Sequence, residues 1–485
     1  MKNLNNILAN ISVLSITGNS NIQLESIHFD SRKIKGDSLF VATSGTQVDG
    51  HSYIQKAIEL GATAIVCEKL PDLQQENTCY IKVENSQTTL GLLASAWYDY
   101  PSKNLKLVGV TGTNGKTTIA SIQYELFSQL GYHTGLISTI ENKIGEETII
   151  STHTTPDAIS INKLLNNMVE EGCSHCFMEV SSHALDQGRT AGLDFDGAIF
   201  TNLTHDHLDY HIDFASYLKA KKVFFDQLKK TAFALTNMDD KNGMVMLQNC
   251  EAKKFTYTIT SIGDYKARII ENQITGLHLS IDNKDVWFRL TGTFNAYNLL
   301  AIYGSAIELG EGADEVLSIL SNIKSVNGRF DHMVSRNGII AIIDYAHTPD
   351  ALLNVLKTIK DIKQAKERII TVVGAGGNRD KSKRPEMAKI AAGYSHQVIL
   401  TSDNPRFEEP DAIIEDMKAG LNEVEMLQTL AITNREEAIK TAFMMAKPKD
   451  FILIAGKGHE TYQDIKGVKH HFDDKEIINK LFKTI

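Results

Sequence analysis

An apolar run, Leu105-Lys-Leu-Val-Gly-Val110, enters a glycine-rich loop that ends in a lysine, two threonines and a helix-like stretch. The loop reads Gly109-Val-Thr-Gly-Thr-Asn-Gly-Lys-Thr-Thr118. This succession of strand, loop and helix constrains the fold more than any other feature of the chain. Backbone N–H groups of such a loop point at phosphate oxygens, and the helix dipole adds favourable charge. Lys116 would reach the β- and γ-phosphates, and Thr117 would place its hydroxyl on Mg²⁺. The usual GxxxxGK[ST] spacing is not met, because Val110 stands where the first glycine belongs. Gly112 and Gly115 supply the flexibility instead, with Thr113, Asn114 and Thr118 completing the loop. A nucleotide site on a parallel α/β sheet is expected.

The rest of the chain extends that pattern. At about 150 residues per domain, 485 residues suggest three α/β domains. Residues 1–100 hold short mixed elements: SIHFDSRKIKGDSLFVAT reads as strand, turn, strand, and HSYIQKAIELGATAIVCEK as a helix running into a buried strand. In 101–328, the runs HTGLIST, HCFMEV, GAIFTNL and FALTN alternate with helix-like stretches, as in a parallel sheet. In 329–485, IIAIIDYA, RIITVVGAG, QVILTSD and DFILIAGKG repeat a doubly wound, Rossmann-like pattern, with functional loops expected at the carboxyl ends of the strands.

Charge and cysteine use exclude several classes. The net charge of -9 argues against coating nucleic acid or an anionic membrane. No signal peptide and no apolar run near the ~20 residues of a membrane span is visible, so a cytoplasmic protein is expected. The 5 cysteines are sparse and odd in number, which reads as reduced thiols. Cys173-Ser-His-Cys176 lacks the second ligand pair a zinc site would want.

Three further clusters carry chemistry. Glu179 ends the run HCFMEV, where a carboxylate can face the phosphate loop. Thr204-His-Asp-His-Leu-Asp209 follows GAIFTNL and crowds ionisable groups, His205 among them, into one loop. Asp206, His207, Asp209 and His211 are as readily loop-shaping residues. Lys219, Lys221 and Lys222 lie on a helix-like stretch, where a solvated basic face is the usual meaning.

Eleven segments together resemble the Mur ligase family, the ATP-dependent amide ligases of peptidoglycan synthesis and their folylpolyglutamate synthetase relatives. Besides the TGTNGKTT loop they are FDSRKIKGDSLFVA (29–42), TTPD (154–157), MEVSSHALDQGR (178–189), LTHDHLDYH (203–211), YLKAKKVFF (217–225), TGTFNAYNLL (291–300), GRFD (328–331), DYAHTPD (344–350), GNRDKSKRP (377–385), DNPR (403–406) and AGKGHE (455–460). The resemblance implies a UDP-binding domain over 1–100, a P-loop ATPase domain over 101–328 and an amino-acid-binding, Rossmann-like domain over 329–485. It implies an acyl phosphate formed from ATP on a substrate carboxylate, then attack by an amine. Lys116, Glu179, His205 and Lys221 would be catalytic. Thr117, Glu179, His205 and Lys221 would hold Mg²⁺, Lys221 as a carbamate formed with CO₂.

The same matching assigns substrate contacts. Phe29, Ser31, Thr46, Gln47 and Val48 would take the uridine end. His153, Thr154, Thr155, Ser181, Gln187 and Arg189 would grip the muramoyl dipeptide, although His153 stands where related enzymes often have Asn. Asn295, Asn298, Arg329, Asp344 and His347 resemble contacts to ATP. Arg379, Asp403, Asn404, Pro405, Arg406, Gly456 and Glu460 would hold the incoming amino acid.

DNPR bears on which amino acid that is. Lysine-adding relatives lack the Arg at its fourth place, and a guanidinium can hold the second carboxylate of meso-diaminopimelate bidentately. The expectation is a monomeric, ATP-dependent ligase acting on UDP-N-acetylmuramoyl-L-Ala-D-Glu and meso-diaminopimelate. The alternatives are a lysine-adding member, a folylpolyglutamate synthetase, and a P-loop switch. The last would be expected to carry Asn-Lys-x-Asp, and Asn237-Met-Asp-Asp240 lacks the Lys.

Overall fold

The computed structural model describes residues 1–45, 48–204, 206 and 210–483. Three main sheets build it: loops after the parallel strands of the two larger ones line one cavity, and loops of the N-terminal sheet line a second. The largest has eleven strands. Its centre is Lys106–Thr111, flanked by His175–Glu179 on one side and Gly197–Phe200 on the other, all parallel. Every residue of the central strand except Lys106 is buried, as expected for a strand covered on both faces. The parallel run continues through Phe233–Asn237 and Lys253–Thr258 to Tyr265–Gln273.

The sheet is not parallel throughout. The hairpin Glu141–Ile144/Glu147–Ile150 and the meander Tyr265–Gln273/Gly276–Ile281/Lys284–Phe288 close its two ends in antiparallel fashion. Their sequences mix lysines, glutamates and threonines with apolar residues, because outer strands expose one face. Continuous apolar runs therefore do not mark them.

Two helices, Lys116–Gln129 and Thr293–Glu308, pack on the sheet through Ile119, Ile122, Phe127, Leu299, Ile302 and Tyr303. At 25 cal/mol per Å², each such buried side chain contributes roughly 1.5–3 kcal/mol. That packing fixes the axis of the first helix, whose N-terminus is the phosphate loop.

The C-terminal sheet has six strands in the order Asp331–Val334, Ile340–Asp344, Phe451–Ala455, Ile369–Val373, Gln397–Leu400, Thr429–Ala431. All neighbouring pairs are parallel except the first. The four apolar runs read from the sequence are its four central strands. The N-terminal sheet has five strands, with Ser38–Val41 and Ala62–Cys67 in its middle. All five cysteines are buried and none is in a disulfide. Burial pushes the Cys173 and Cys176 thiols up, away from the thiolate a metal or redox site needs. Among the described residues no group of His, Cys, Asp and Glu is arranged to hold a metal, and no helix is long and apolar enough to cross a membrane.

Candidate active site

The phosphate loop is held from both flanks. Gly112 has φ +150°, and a Cβ there would collide with Thr201 Oγ1, so the position admits only glycine. Thr201 donates to the Asn114 carbonyl at 2.6 Å, and Asn202 Oδ1 accepts from Asn114 N–H at 2.9 Å. Both residues lie just past the neighbouring strand Gly197–Phe200. Lys116 Nζ donates to the carbonyls of Gly112 and Thr113, each at 2.8 Å. Burial lowers its pKa, opposed by the charges of Glu179 and Asp206.

Glu179 is fully buried at the end of the other flanking strand. It accepts from Thr117 Oγ1 at 2.9 Å, from Thr139 N–H at 2.7 Å and from Thr139 Oγ1 at 3.1 Å. Thr139 Oγ1 also lies 3.0 Å from Thr154 Oγ1, within hydrogen-bond distance, while Thr155 Oγ1 donates to the Glu179 carbonyl and accepts from Ser181 N–H. One carboxylate thus connects the phosphate loop to the TTPD and SSH segments.

Of the three lysines on the helix Phe214–Asp226, only Lys221 points inward. It is 1% exposed, and its Nζ donates to the Gly112 carbonyl at 3.0 Å and to Thr111 Oγ1 at 3.4 Å. Lys219 is exposed, and Lys222 pairs with Asp226. Burial first, and then the charge of Lys116, holds the Lys221 pKa well below its ordinary value.

The C-terminal sheet supplies the facing wall. Arg329 donates to Thr117 Oγ1 at 3.0 Å and stacks over Tyr345. Asp344 accepts from Phe330 N–H at 2.6 Å, and burial pushes its pKa up to about 6 against the pull of Arg329. His347 Nδ1 lies 2.7 Å from the Tyr345 carbonyl, which can only accept, so Nδ1 carries the proton. Burial lowers its pKa to about 4, and the ring is neutral at pH 7. Asp350 accepts from Asn114 Nδ2 at 2.8 Å, bridging the two walls.

These groups line one cavity of about 840 Å³, which also reaches Arg379, Asp403, Asn404, Arg406, Gly456 and Glu460. There the loops after Ile369–Val373 and Gln397–Leu400 interlock: Gly377 N–H donates to the Asn404 carbonyl, and a Cβ on Gly377 would collide with the Pro405 carbonyl. Arg406 is held at φ 51°, a left-handed conformation that costs an ordinary residue roughly 1–2 kcal/mol. Its backbone is pinned to Asp464 and Lys466, and Nη1 donates to the Gly377 carbonyl at 2.7 Å. Arg406 does not pair with Glu408. That carboxylate binds the buried Arg384, whose guanidinium holds its pKa down at about 2. Arg384 also reaches Asp416 and the Gly376 carbonyl, so one buried cation braces both arginine-bearing loops.

A second cavity, of about 400 Å³, is lined by Phe29, Thr43, Gly45, Gln87, Asp157 and Gln187 among others, and His153 and Arg189 line both cavities. Arg189 donates to the Thr155 carbonyl at 2.7 Å and twice to Gln187 Oε1. A substrate could therefore run from the N-terminal sheet past His153 to the phosphate loop.

Several residues singled out from the sequence do not reach a cavity wall. Asn295 lies behind the wall, donating to the Thr291 carbonyl and accepting from Asn298, which does line it. Gly112 and Pro405 act through the backbone. Ser31 begins the short helix Ser31–Lys33 and is buried there, and Val48 is 56% exposed on the surface. Thr46, Gln47 and His205 lie outside the described residues. Conversely, Thr139, Thr201, Asn202 and Asp350 line the cavity and Lys457 lies buried behind it, although the sequence analysis assigns none of them a role. They are common residue types at strand or helix ends, and only tertiary contacts single them out.

Three family models match the chain: "Mur ligase family, catalytic domain" over 23–98, "Mur ligase middle domain" over 110–306 and "Mur ligase, glutamate ligase domain" over 328–458. A protein of Phocaeicola vulgatus named UDP-N-acetylmuramoyl-L-alanyl-D-glutamate--2,6-diaminopimelate ligase is 56% identical over 99% of both chains. One of the same name from Parabacteroides distasonis is 55% identical over 99% of both. A solved structure bearing that name is 30% identical and superposes with a TM-score of 0.70, covering 100% of this chain and 99% of the other.

Proposed function

The chain belongs to the Mur ligase family, and from that premise and the geometry of its site we propose the following reaction. The protein is an ATP-dependent ligase of peptidoglycan synthesis that joins meso-2,6-diaminopimelate to UDP-N-acetylmuramoyl-L-alanyl-D-glutamate. The observation that carries this reading is that the phosphate loop and Arg406 line the same cavity. A triphosphate on one wall and a dicarboxylic amine donor on the other then meet at the acceptor's carboxylate.

In the first step a carboxylate oxygen of the D-Glu residue attacks the γ-phosphorus, and the bond to the β-phosphate oxygen breaks, releasing ADP. The amine then adds to the acyl carbon, phosphate leaves with the C–O bonding pair, and the nitrogen gives up a proton. The difficulty is electrostatic, because one anion must approach another. Lys116 and Arg329 place fixed cations around the loop, and neutral His347, its Nδ1–H given to the Tyr345 carbonyl, adds an Nε2 acceptor without further charge. Arg189, which reaches both cavities, is placed to hold the acceptor.

Thr117 Oγ1 and the Glu179 carboxylate, 2.9 Å apart, are hard oxygen donors that suit Mg²⁺, with a carbamate on Lys221 as a further oxygen ligand. When bound, Mg²⁺ would neutralise the phosphate oxygens. Catalysis by a single chain in the cytoplasm is part of the proposal. One chain supplies every wall of the cavity, and no helix among the described residues can cross a membrane.

The test is phosphate release from ATP with UDP-N-acetylmuramoyl-L-Ala-D-Glu, comparing meso-diaminopimelate with L-lysine. Turnover strictly dependent on the dipeptide and on diaminopimelate is the expected result. Turnover with lysine would retain the ligase and discard diaminopimelate, and turnover without either substrate would discard the ligase.

A further inference from the structure

Behind the amino-acid end of the cavity lies a lysine that no step above uses. Lys457 is 0% exposed and does not line the cavity. Its Nζ donates to Asn404 Oδ1 at 3.2 Å and to Glu460 Oε2 at 3.0 Å, with the Tyr462 ring 5.5 Å away. Asn404 Nδ2 also donates to Glu460 Oε2, at 2.8 Å, and Asn404 Oδ1 accepts a second bond from Asp464 N–H. Glu460 Oε2 is thereby committed to the protein, which leaves Oε1 for a donor in the cavity. Beside it, Asp403 Oδ1 accepts from Asn404 N–H, while Asp403 Oδ2 is buried with no hydrogen-bond partner.

The charges behind this end are few. Arg435 pairs with Asp474, both fully buried, and donates to the Ala455 carbonyl just before Gly456. Asp403 and Glu460 act on Arg435 from the cavity side, and Arg406 and Asp464 border the same carboxylates around Tyr462. Without Lys457, Glu460 Oε2 and Asn404 Oδ1 would each lose a buried donor, and the two side chains would be free to swing apart.

We infer that Lys457 is a positioning residue for the amine donor: it fixes Asn404 and Glu460 so that Glu460 Oε1 and Asp403 Oδ2 together read an ammonium distant from the reacting one. The inference rests on the ligase reading above. Lys457 touches no substrate atom itself, and its effect passes through the two carboxylates. Arg406 and Arg379 hold the distal carboxylate, while Lys457 makes the wall selective for the charge beside it.

The test pairs a variant with a substrate analogue in the full-length protein. 2-Aminopimelate keeps the reacting amine and both carboxylates of diaminopimelate and lacks only the distal amine. For the wild type, kcat/KM with diaminopimelate should exceed that with 2-aminopimelate on the order of 100-fold, because unpaired buried carboxylates penalise the analogue. In Lys457→Met, which keeps most of the stem without the charge, the ratio should fall below roughly 10-fold, with KM for ATP and for the UDP-dipeptide unchanged. An unchanged ratio with both rates lowered equally would overturn the inference and mark Lys457 as structural. If Lys457→Met does not fold, Lys457→Gln, which keeps a donor, is read by the same ratio. No turnover of diaminopimelate by the wild type would overturn the ligase reading, and this inference with it.

Discussion

Lys116 and Lys221 donate to a single carbonyl oxygen, that of Gly112, at 2.8 and 3.0 Å. Two ammonium groups so close, both buried, cannot both hold their protons at ordinary cost, and Lys221 is the one held well below its usual pKa. A neutral amine is the form that attacks CO₂, forming an N–C bond and releasing a proton as the carbamate appears. Equilibrating the protein with carbon-13-labelled bicarbonate should therefore give a carbamate signal by NMR that is absent in Lys221→Arg. Lys221→Ala should lose kcat by about 10²–10³-fold, the scale for one oxyanion-type contact. A labelled signal surviving in Lys221→Arg would place the modification elsewhere.

Asp344 gives the site a pH dependence of known sign. Burial raises its pKa from the ordinary 3.8 to about 6, so the folded state binds the proton more tightly than the unfolded chain. The contribution is fully present below pH ~4 and is lost as pH rises through about 6, at up to about 1.4 kcal/mol per pH unit between the two values. Asp344→Asn removes that dependence. Denaturant unfolding from pH 4 to 8 should show the variant gaining on the wild type up to about pH 6 and then running parallel. A constant difference across the range would mean that the buried carboxyl titrates normally.

The sequence makes the strands and their chemistry legible where each signal is local. The apolar runs ending in Glu179, Asp344 and Ala455 are strands, and the loops after them carry the site, as a parallel sheet requires. The helix Phe214–Asp226 shows what is not legible. Three lysines fall within four positions, and only the packing of Tyr217, Phe224 and Phe225 against the sheet turns Lys221 inward. Asp350 and Lys457 are hidden for the same reason, since their partners Asn114 and Asn404 are remote in the chain. Val48 shows the opposite case, a residue to which the resemblance gives a substrate contact and whose side chain faces solvent.

Asn114 and Asp350 join the phosphate loop to the first turn of the helix Pro349–Ile362. The contact crosses between the two walls of the cavity. A hydrogen bond to a charged group contributes about 1.5–3 kcal/mol, and part of that should appear in the closed arrangement in which amine and acyl phosphate meet. Asp350→Ala should lower kcat by roughly 10-fold. KM for the UDP-dipeptide should hold, because Arg189 and His153 lie away from the latch. Asp350→Asn keeps an acceptor for Asn114 and should restore most of the rate. A loss confined to KM for the dipeptide would contradict the latch.

Arg406 should decide between diaminopimelate and lysine. Its left-handed backbone is fixed by the Asp464 and Lys466 contacts, and only one arm of its guanidinium is used on the Gly377 carbonyl. The remaining N–H groups can take a carboxylate bidentately, a geometry lysine's ammonium cannot copy. Arg406→Ala should raise KM for meso-diaminopimelate by on the order of 100-fold, while KM for ATP stays close to the wild-type value. Arg406→Lys should recover little of the loss, because a single point charge on a flexible, shorter-reaching stem replaces a planar fork held in place. L-Lysine, having no second carboxylate, should gain relative to diaminopimelate in Arg406→Ala, since the variant no longer sets a guanidinium without a carboxylate partner against it. Competition between the two amino acids in one reaction mixture, with the products separated by mass, measures that shift directly. Equal losses for both donors would assign Arg406 to holding the loop rather than to reading the substrate.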